Sequence, residues 1–165
     1  MITKQQLLDA CRHETRVIKH VATKIPEGQL DWRPTPGQRS MGELMSYVTV
    51  MAEMMAVNAV TGNWDHAPAL SEESVKVTPE TFAEAMDRQM NRVAEVLGDI
   101  DDNASTTKPA TLPWREPVEQ SALLMRGVYA SFVAYRMQLF LYAKQSGAAD
   151  LATADCWAGA SAPLG

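Results

Sequence analysis

Cysteine is almost absent from this chain of 165 residues: Cys11 and Cys156 stand near opposite ends, with no CxxC pair or Cys/His spacing around either. A disulfide framework and a structural zinc site are therefore not expected. Basic clusters are lacking too. The formal net charge is -5 with both signs mixed, so no lysine- and arginine-rich face is offered to a phosphate backbone, and nucleic acid is excluded as a partner. No apolar run long enough to cross a bilayer lacks interruption, and the opening MITKQQLLDACRHETR meets charge too early for a signal peptide. The expectation is a cytoplasmic protein with no membrane partner. Histidine is scarce, at three residues, and forms no HxxxH or HExxH pair. His13 and His20 share a helical face but stand about 10 Å apart along its axis, too far for one ion that needs each ligand at about 2 Å. His66 lies alone in a loop.

What the chain does have is helical periodicity. The first helix opens with the capping box Thr3-Lys-Gln-Gln6 and carries the stripe Leu7, Cys11, Glu14, Ile18, Val21 and Ile25, ended by Pro26 and Gly28. A second opens with Ser40-Met-Gly-Glu43 and runs through Leu44, Tyr47, Val48, Met51, Met54, Met55 and Asn58 to Gly62. Five methionines between Met41 and Met55 make its surface adaptable packing material. A third starts at Thr78-Pro79 and presents Phe82, Met86, Gln89, Met90, Val93, Val96, Leu97 and Ile100. The fourth, apolar nearly all round, extends from Pro117 to the turn before Gly147. The spacing thus predicts one all-α domain over 1–165, a four-helix bundle with helices at about 3–25, 40–61, 78–100 and 117–146. The connections at 63–77 and 103–116 are long enough that a simple up-and-down winding is not expected, and short extended pieces are expected around Val75–Val77 and Thr111–Leu112.

Candidate chemistry concentrates on polar residues that interrupt these stripes. On the fourth helix Ser131, Tyr135, Gln138 and Tyr142 fall at spacings of four, three and four on a face that should be buried, and buried polar groups must find partners. Glu14 interrupts the first stripe, where an unpaired carboxylate would be expensive, so a polar cavity, a hydroxyl or an arginine is expected beside it. Cys11 occupies a core position as a small hydrophobe. Cys156, in a tail of small residues, is expected to be accessible, but no base stands near it in the sequence.

The passage IPEGQLDWRPTPGQRSMGEL, from Ile25 to Leu44, resembles the first loop and second-helix start of the DinB-like, or YfiT-like, proteins. Tyr135-Arg136-Met137-Gln138-Leu139, followed by Tyr142 and Gly147, is similar to that family's final-helix signature. The resemblance implies an up-down-down-up four-helix bundle with long crossover loops, often a homodimer. Many members hold a divalent metal through three histidines, and some act as metal-dependent thiol transferases or isomerases. Carried over by position, those ligands fall on Tyr47, Ser131 and Tyr135, none of them histidine. Phenols and a hydroxyl, neutral at pH 7, are poor ligands for such metals, so no metal and no cofactor are expected. The expected site gathers Glu14, Tyr47, Ser131, Tyr135 and Gln138 in one interior cavity. The expected function is small-molecule binding by a degenerate or vestigial site. The alternatives are a thiol-transferase-like or hydrolase-like enzyme, metal-independent or atypically liganded, and a pure dimerisation scaffold. A homodimer through the fourth helix is expected, because one bundle of this size covers only part of an all-round apolar helix.

Overall fold

The computed structural model describes residues 2–161. Its long helices are α1 (Lys4–Ala22), α2 and α3 (Met41–Val48 and Met51–Thr61), α5 (Pro79–Val96) and α7 (Ala130–Gln145), with shorter α4 (Ala67–Ser74), α6 (Gln120–Leu123) and α8 (Thr153–Ala158) between and after them. A π-helical segment, Leu124–Tyr129, joins α6 to α7 without a break. The all-α fold agrees with the sequence expectation. The α1 helix packs on α5 and α7, and α3 packs on α5 and on the π segment, whereas α1 shares no substantial contact with α2 or α3. The first two long segments are thus diagonal across the bundle, which the long crossovers make possible.

The starts of α1, α2 and α5 follow their sequence signals. Thr3 and Gln6 close one capping box and Ser40 and Glu43 another, so orphan N–H groups of each first turn are satisfied. The proline-rich loop adds two further acceptors at the start of α2: Met41 N donates to Trp32 O and Gly42 N to Leu30 O, each at 2.8 Å. A Cβ on Gly42 would lie 3.4 Å from that Leu30 carbonyl.

Four departures from the expected pattern matter. The segment expected as one helix at 40–61 breaks at Thr49–Val50, and Gln89 of α5 enters the break: its Oε1 accepts from Ala52 N and its Nε2 donates to Val48 O, both at 2.9 Å. These are the two backbone groups that an unbroken helix would have paired, so the buried amide replaces the missing rung. The crossover at 63–77 contains α4, and Val75–Val77 forms no strand but the turn that ends α4. Residues 117–119, expected as the start of the last helix, instead form a strand (β2, Pro117–Glu119) antiparallel to β1 (Pro109–Thr111). The chain after Gly147 folds back as α8, and Cys156, expected to be accessible, is buried within it.

One continuous core joins Leu7, Ile18, Leu44, Met51, Phe82, Met86, Val128, Phe132 and Leu139. The run Met41–Thr61 is long and apolar enough, by length and composition, to cross a membrane, which the sequence reading did not expect. Two thirds of its most apolar window is buried in this core.

Candidate functional site

Of the polar stripe only Tyr142 is fully buried, and the rest of the buried face of α7 is not the one read from that stripe. It carries Phe132, Arg136, Leu139 and Ala143, one residue further on, and it packs against α1. Glu14 points into the same contact. The Arg136 Nε and a Glu14 carboxylate oxygen lie 3.0 Å apart with both side chains almost wholly buried. The pair is held by charge without a well-directed hydrogen bond. Arg136 also donates to the Cys156 carbonyl at 2.6 Å and lies 4.9 Å from the Trp157 ring, so α8 closes over the ion pair. Burial raises the Glu14 carboxyl above its ordinary range, against the opposing pull of Arg136 and His13. Burial, with Glu14 adding to it, pushes the Cys11 thiol up to about 12, and burial raises Cys156 as well. Both thiols are held away from the reactive thiolate form.

The stripe itself faces α2 and the proline-rich loop. Tyr47, in the last turn before the α2/α3 break, meets Tyr135 edge to face with ring centroids 5.2 Å apart. One turn on, Gln138 donates to the Tyr142 hydroxyl at 3.1 Å, and Tyr142 meets Trp32 edge to face at 5.3 Å. Such aromatic pairs contribute about 0.5–1.5 kcal/mol beyond burial. Arg39, just ahead of α2, lies 4.1 Å above the Tyr47 ring. Ser131 turns away from the group, its hydroxyl donating to the Gly127 carbonyl in the widened π turn. Back-bonding of this kind is how a helical serine satisfies itself.

The structure therefore divides the expected set. Tyr47 and Tyr135 are brought together, Gln138 stands beside them on the next turn, Ser131 is engaged with the backbone, and Glu14 belongs to the α1–α7 contact with Arg136. Arg39 was missed. Its signal, a cation one residue ahead of a capped helix whose first inward aromatic is Tyr47, is visible in sequence only once the loop's path is known. Arg136 was readable: it interrupts the stripe 132, 136, 139, 143 as Glu14 interrupts 7, 11, 14, 18, and opposite charges on facing apolar stripes should pair.

The electrostatics of the two phenols are plain. Burial, then the neighbouring Tyr135 phenol, raises the Tyr47 pKa above its ordinary value, and Arg39 only partly offsets this. Tyr47 is therefore protonated at neutral pH, and apart from the contact of the two phenols with each other neither hydroxyl has a hydrogen-bond partner in the protein among the described residues. As a metal site the set does not fit: two phenols and a serine hydroxyl already given to a carbonyl supply no imidazole, thiolate or carboxylate. Among the described residues no three His, Cys, Asp or Glu side chains converge. The three histidines are each hydrogen-bonded elsewhere, His13 to the Trp157 carbonyl, His20 to Asp155 and His66 to the Met54 carbonyl.

Comparison with known proteins follows the same lines. Residues 7–129 match the model of the DinB superfamily, a stretch that includes Tyr47 and stops ahead of Ser131 and Tyr135. A DinB-like protein of Bacillus subtilis, YjoA, superposes with a TM-score of 0.63 at 15% identity, covering 86% of this chain and 92% of its own. A DinB-like protein of Bacillus cereus ATCC 10987 does so with a TM-score of 0.63 at 16% identity, covering 88% and 94%. No functionally curated protein matches. With most of its length inside the family model and its fold shared with these structures, the chain belongs to the DinB superfamily.

Proposed function

We propose that this DinB-family chain binds a small molecule at the face between α2 and α7, in a site where phenols stand at the family's metal-binding positions. The observation that carries this is the Tyr47–Tyr135 pair, whose hydroxyls meet each other and no other protein partner, under the unpaired Arg39. One turn away Gln138 and the Tyr142 hydroxyl satisfy each other beside Trp32, whereas the Tyr47–Tyr135 pair lies under a cation that has no counter-charge of its own. An enzyme using Tyr47 as acid or base draws no support from its environment, since burial raises the phenol where catalysis near neutral pH would need it lowered. Native mass spectrometry of freshly purified protein tests the reading. A bound small molecule is expected in the unmodified protein and lost in Tyr47→Ala/Tyr135→Ala. A ligand retained by a folded double variant would place binding elsewhere and overturn the reading.

The same reading assigns no cofactor and places the phenols in register with the family's ligands. The triple change Tyr47→His, Ser131→His and Tyr135→His tests that register, because positions 131 and 135 lie one turn apart and Tyr47 faces Tyr135. Equimolar zinc or nickel after dialysis is expected in the triple variant alone. Partner assignment rests on α7, whose outer surface leaves Met137 37% and Leu141 45% exposed. A homodimer through this surface is proposed, and sedimentation equilibrium showing a monomer at tens of micromolar, on the order of concentrations where a stable dimer persists, would remove it.

A further inference from the structure

Arg39 and the Tyr47–Tyr135 hydroxyl pair at the α2–α7 face have no partner outside their own group among the described residues, and they have a common preference. Two arginines flank the start of α2. Arg33 takes Glu43, with Nη2 3.5 Å from its carboxylate, and donates to the Gln38 carbonyl at 3.1 Å. Glu43 is engaged a second time by the Ser40 backbone N–H at 2.6 Å. Arg39 has no carboxylate within 4 Å and no hydrogen-bond acceptor among the described residues, and only its stack on Tyr47 places it. An exposed guanidinium fixed over a ring by one face keeps its N–H edge free. Beneath it is the Tyr47 ring, whose hydroxyl, protonated, meets that of Tyr135, and neither has a further partner among the described residues. A phenol accepts as well as donates, but beside a guanidinium the favoured role is donation toward a shared negative group.

We propose that the site takes a carboxylate-bearing small molecule, its oxyanion held by the Arg39 guanidinium edge and the Tyr47 and Tyr135 hydroxyls, with its apolar body against the aromatic wall. The planar fork of arginine matches a carboxylate with two parallel bonds, and a charge-assisted contact of this kind is stronger than a neutral one. In a chain of net charge -5, an unpaired cation over two donors is the local exception that attracts an anion. This class of ligand rests on the ligand-binding reading above and narrows it.

The test uses three probes of one shape and different charge, benzoate, benzamide and benzylamine, titrated into the full chain with labelled tyrosine rings followed by NMR. Benzoate is expected to shift the Tyr47 and Tyr135 resonances saturably in the millimolar range, on the order expected for so small a ligand, with benzamide weaker and benzylamine without effect. Arg39→Gln should weaken benzoate at least about tenfold, the loss of one charge-assisted contact. Arg33→Gln, whose arginine is already engaged with Glu43, should leave it unchanged. Equal binding of benzamide and benzoate, or of benzoate by the Arg39→Gln variant, overturns the carboxylate assignment while leaving a ligand site at the two tyrosines standing. Absence of shifts with all three probes at about 50 mM overturns the carboxylate assignment. A co-purified ligand lost in the tyrosine double variant would still separate that result from failure of the site itself.

Discussion

Tyr135 and Arg136 are neighbours in sequence about 100° apart on α7, and the two sides of the helix they occupy have opposite characters. On the Arg136 side the buried charges are paired: Glu14 lies 3.0 Å from the guanidinium, the Cys156 carbonyl accepts one of its N–H groups, and Trp157 lies over the guanidinium. On the Tyr135 side the aromatic bodies are packed, yet the Tyr47 and Tyr135 hydroxyls meet only each other and the guanidinium above Tyr47 has no counter-charge. Burial with partners is what a structural joint requires. Packing that leaves donors free at a half-exposed surface is what a recognition site requires. The contrast within one helix separates the two roles better than residue type does, since both sides contain an arginine over an aromatic ring.

The largest effect should come from the joint. Arg136→Ala would leave the Glu14 carboxylate buried without its counter-charge and uncap α8, and a loss of about 3–5 kcal/mol is expected in urea denaturation. The paired change Glu14→Leu/Arg136→Met, which removes both charges and keeps the volume, should fall within about 1 kcal/mol of the unmodified protein. If the pair is no better tolerated than the single change, the charge argument fails and packing alone carries the joint.

That joint also shows what the sequence could reveal. The helix starts at Thr3, Ser40 and Thr78 are local signals, fixed by capping side chains within four residues, and all three are where the sequence places them. The break after Val48 depends on Gln89, which arrives from 37 residues away to Ala52, and no local pattern encodes it. The α8 helix is short and has little periodicity, so its place is set by the surface it covers: Arg16, His13 and Arg136 take its last carbonyls. The site was half legible. A polar stripe on α7 and its facing Tyr47 follow from spacing, but Arg39 depends on how the proline-rich loop lies across α2. The choice between the 131/135/138 and 132/136/139 faces needed the pairing of Glu14 with Arg136 to be recognised.

A second prediction concerns the cover of the joint. Asp155 accepts from His20 at 2.7 Å, from the Ala152 N–H at 2.9 Å and from Ser161 at 3.1 Å. Burial works to raise its pKa, but these bonds together outweigh it and the net shift is downward. Asp155→Ala should cost about 1–3 kcal/mol and raise hydrogen exchange in 153–158 before it affects α7. If exchange rises equally on both sides of α7, α8 is not a cover for one face.

A third prediction uses pH. The Glu14 carboxyl is raised above its ordinary 4.5 by burial, so the folded chain holds that proton more tightly than the unfolded one. The stability this contributes is fully present below 4.5 and is lost as pH rises through the raised value. Glu53, also raised by burial, adds a slope of the same sign, whereas Asp155, lowered, loses its contribution only as pH falls through a value below its ordinary 3.8. Glu14→Gln should therefore flatten part of the decline in stability above pH 4.5 and leave the Glu53 part. An unchanged slope would mean that Arg136 holds Glu14 ionised throughout.

The smallest effect on stability is the sharpest test of the other face. Tyr47→Phe and Tyr135→Phe remove only the hydroxyls and keep the edge-to-face pair, and because each hydroxyl meets only the other, no backbone or charged partner is stranded. Each should change stability by less than about 0.5 kcal/mol. The sign should be slightly favourable for Tyr47, a half-buried residue. Benzoate binding should weaken in both, although the fold is untouched. A loss of stability above about 1 kcal/mol, the worth of a made hydrogen bond, would show that the phenols are bonded to each other in solution. The Tyr135 side of α7 would then be a second structural joint, and the contrast with the Arg136 side would disappear.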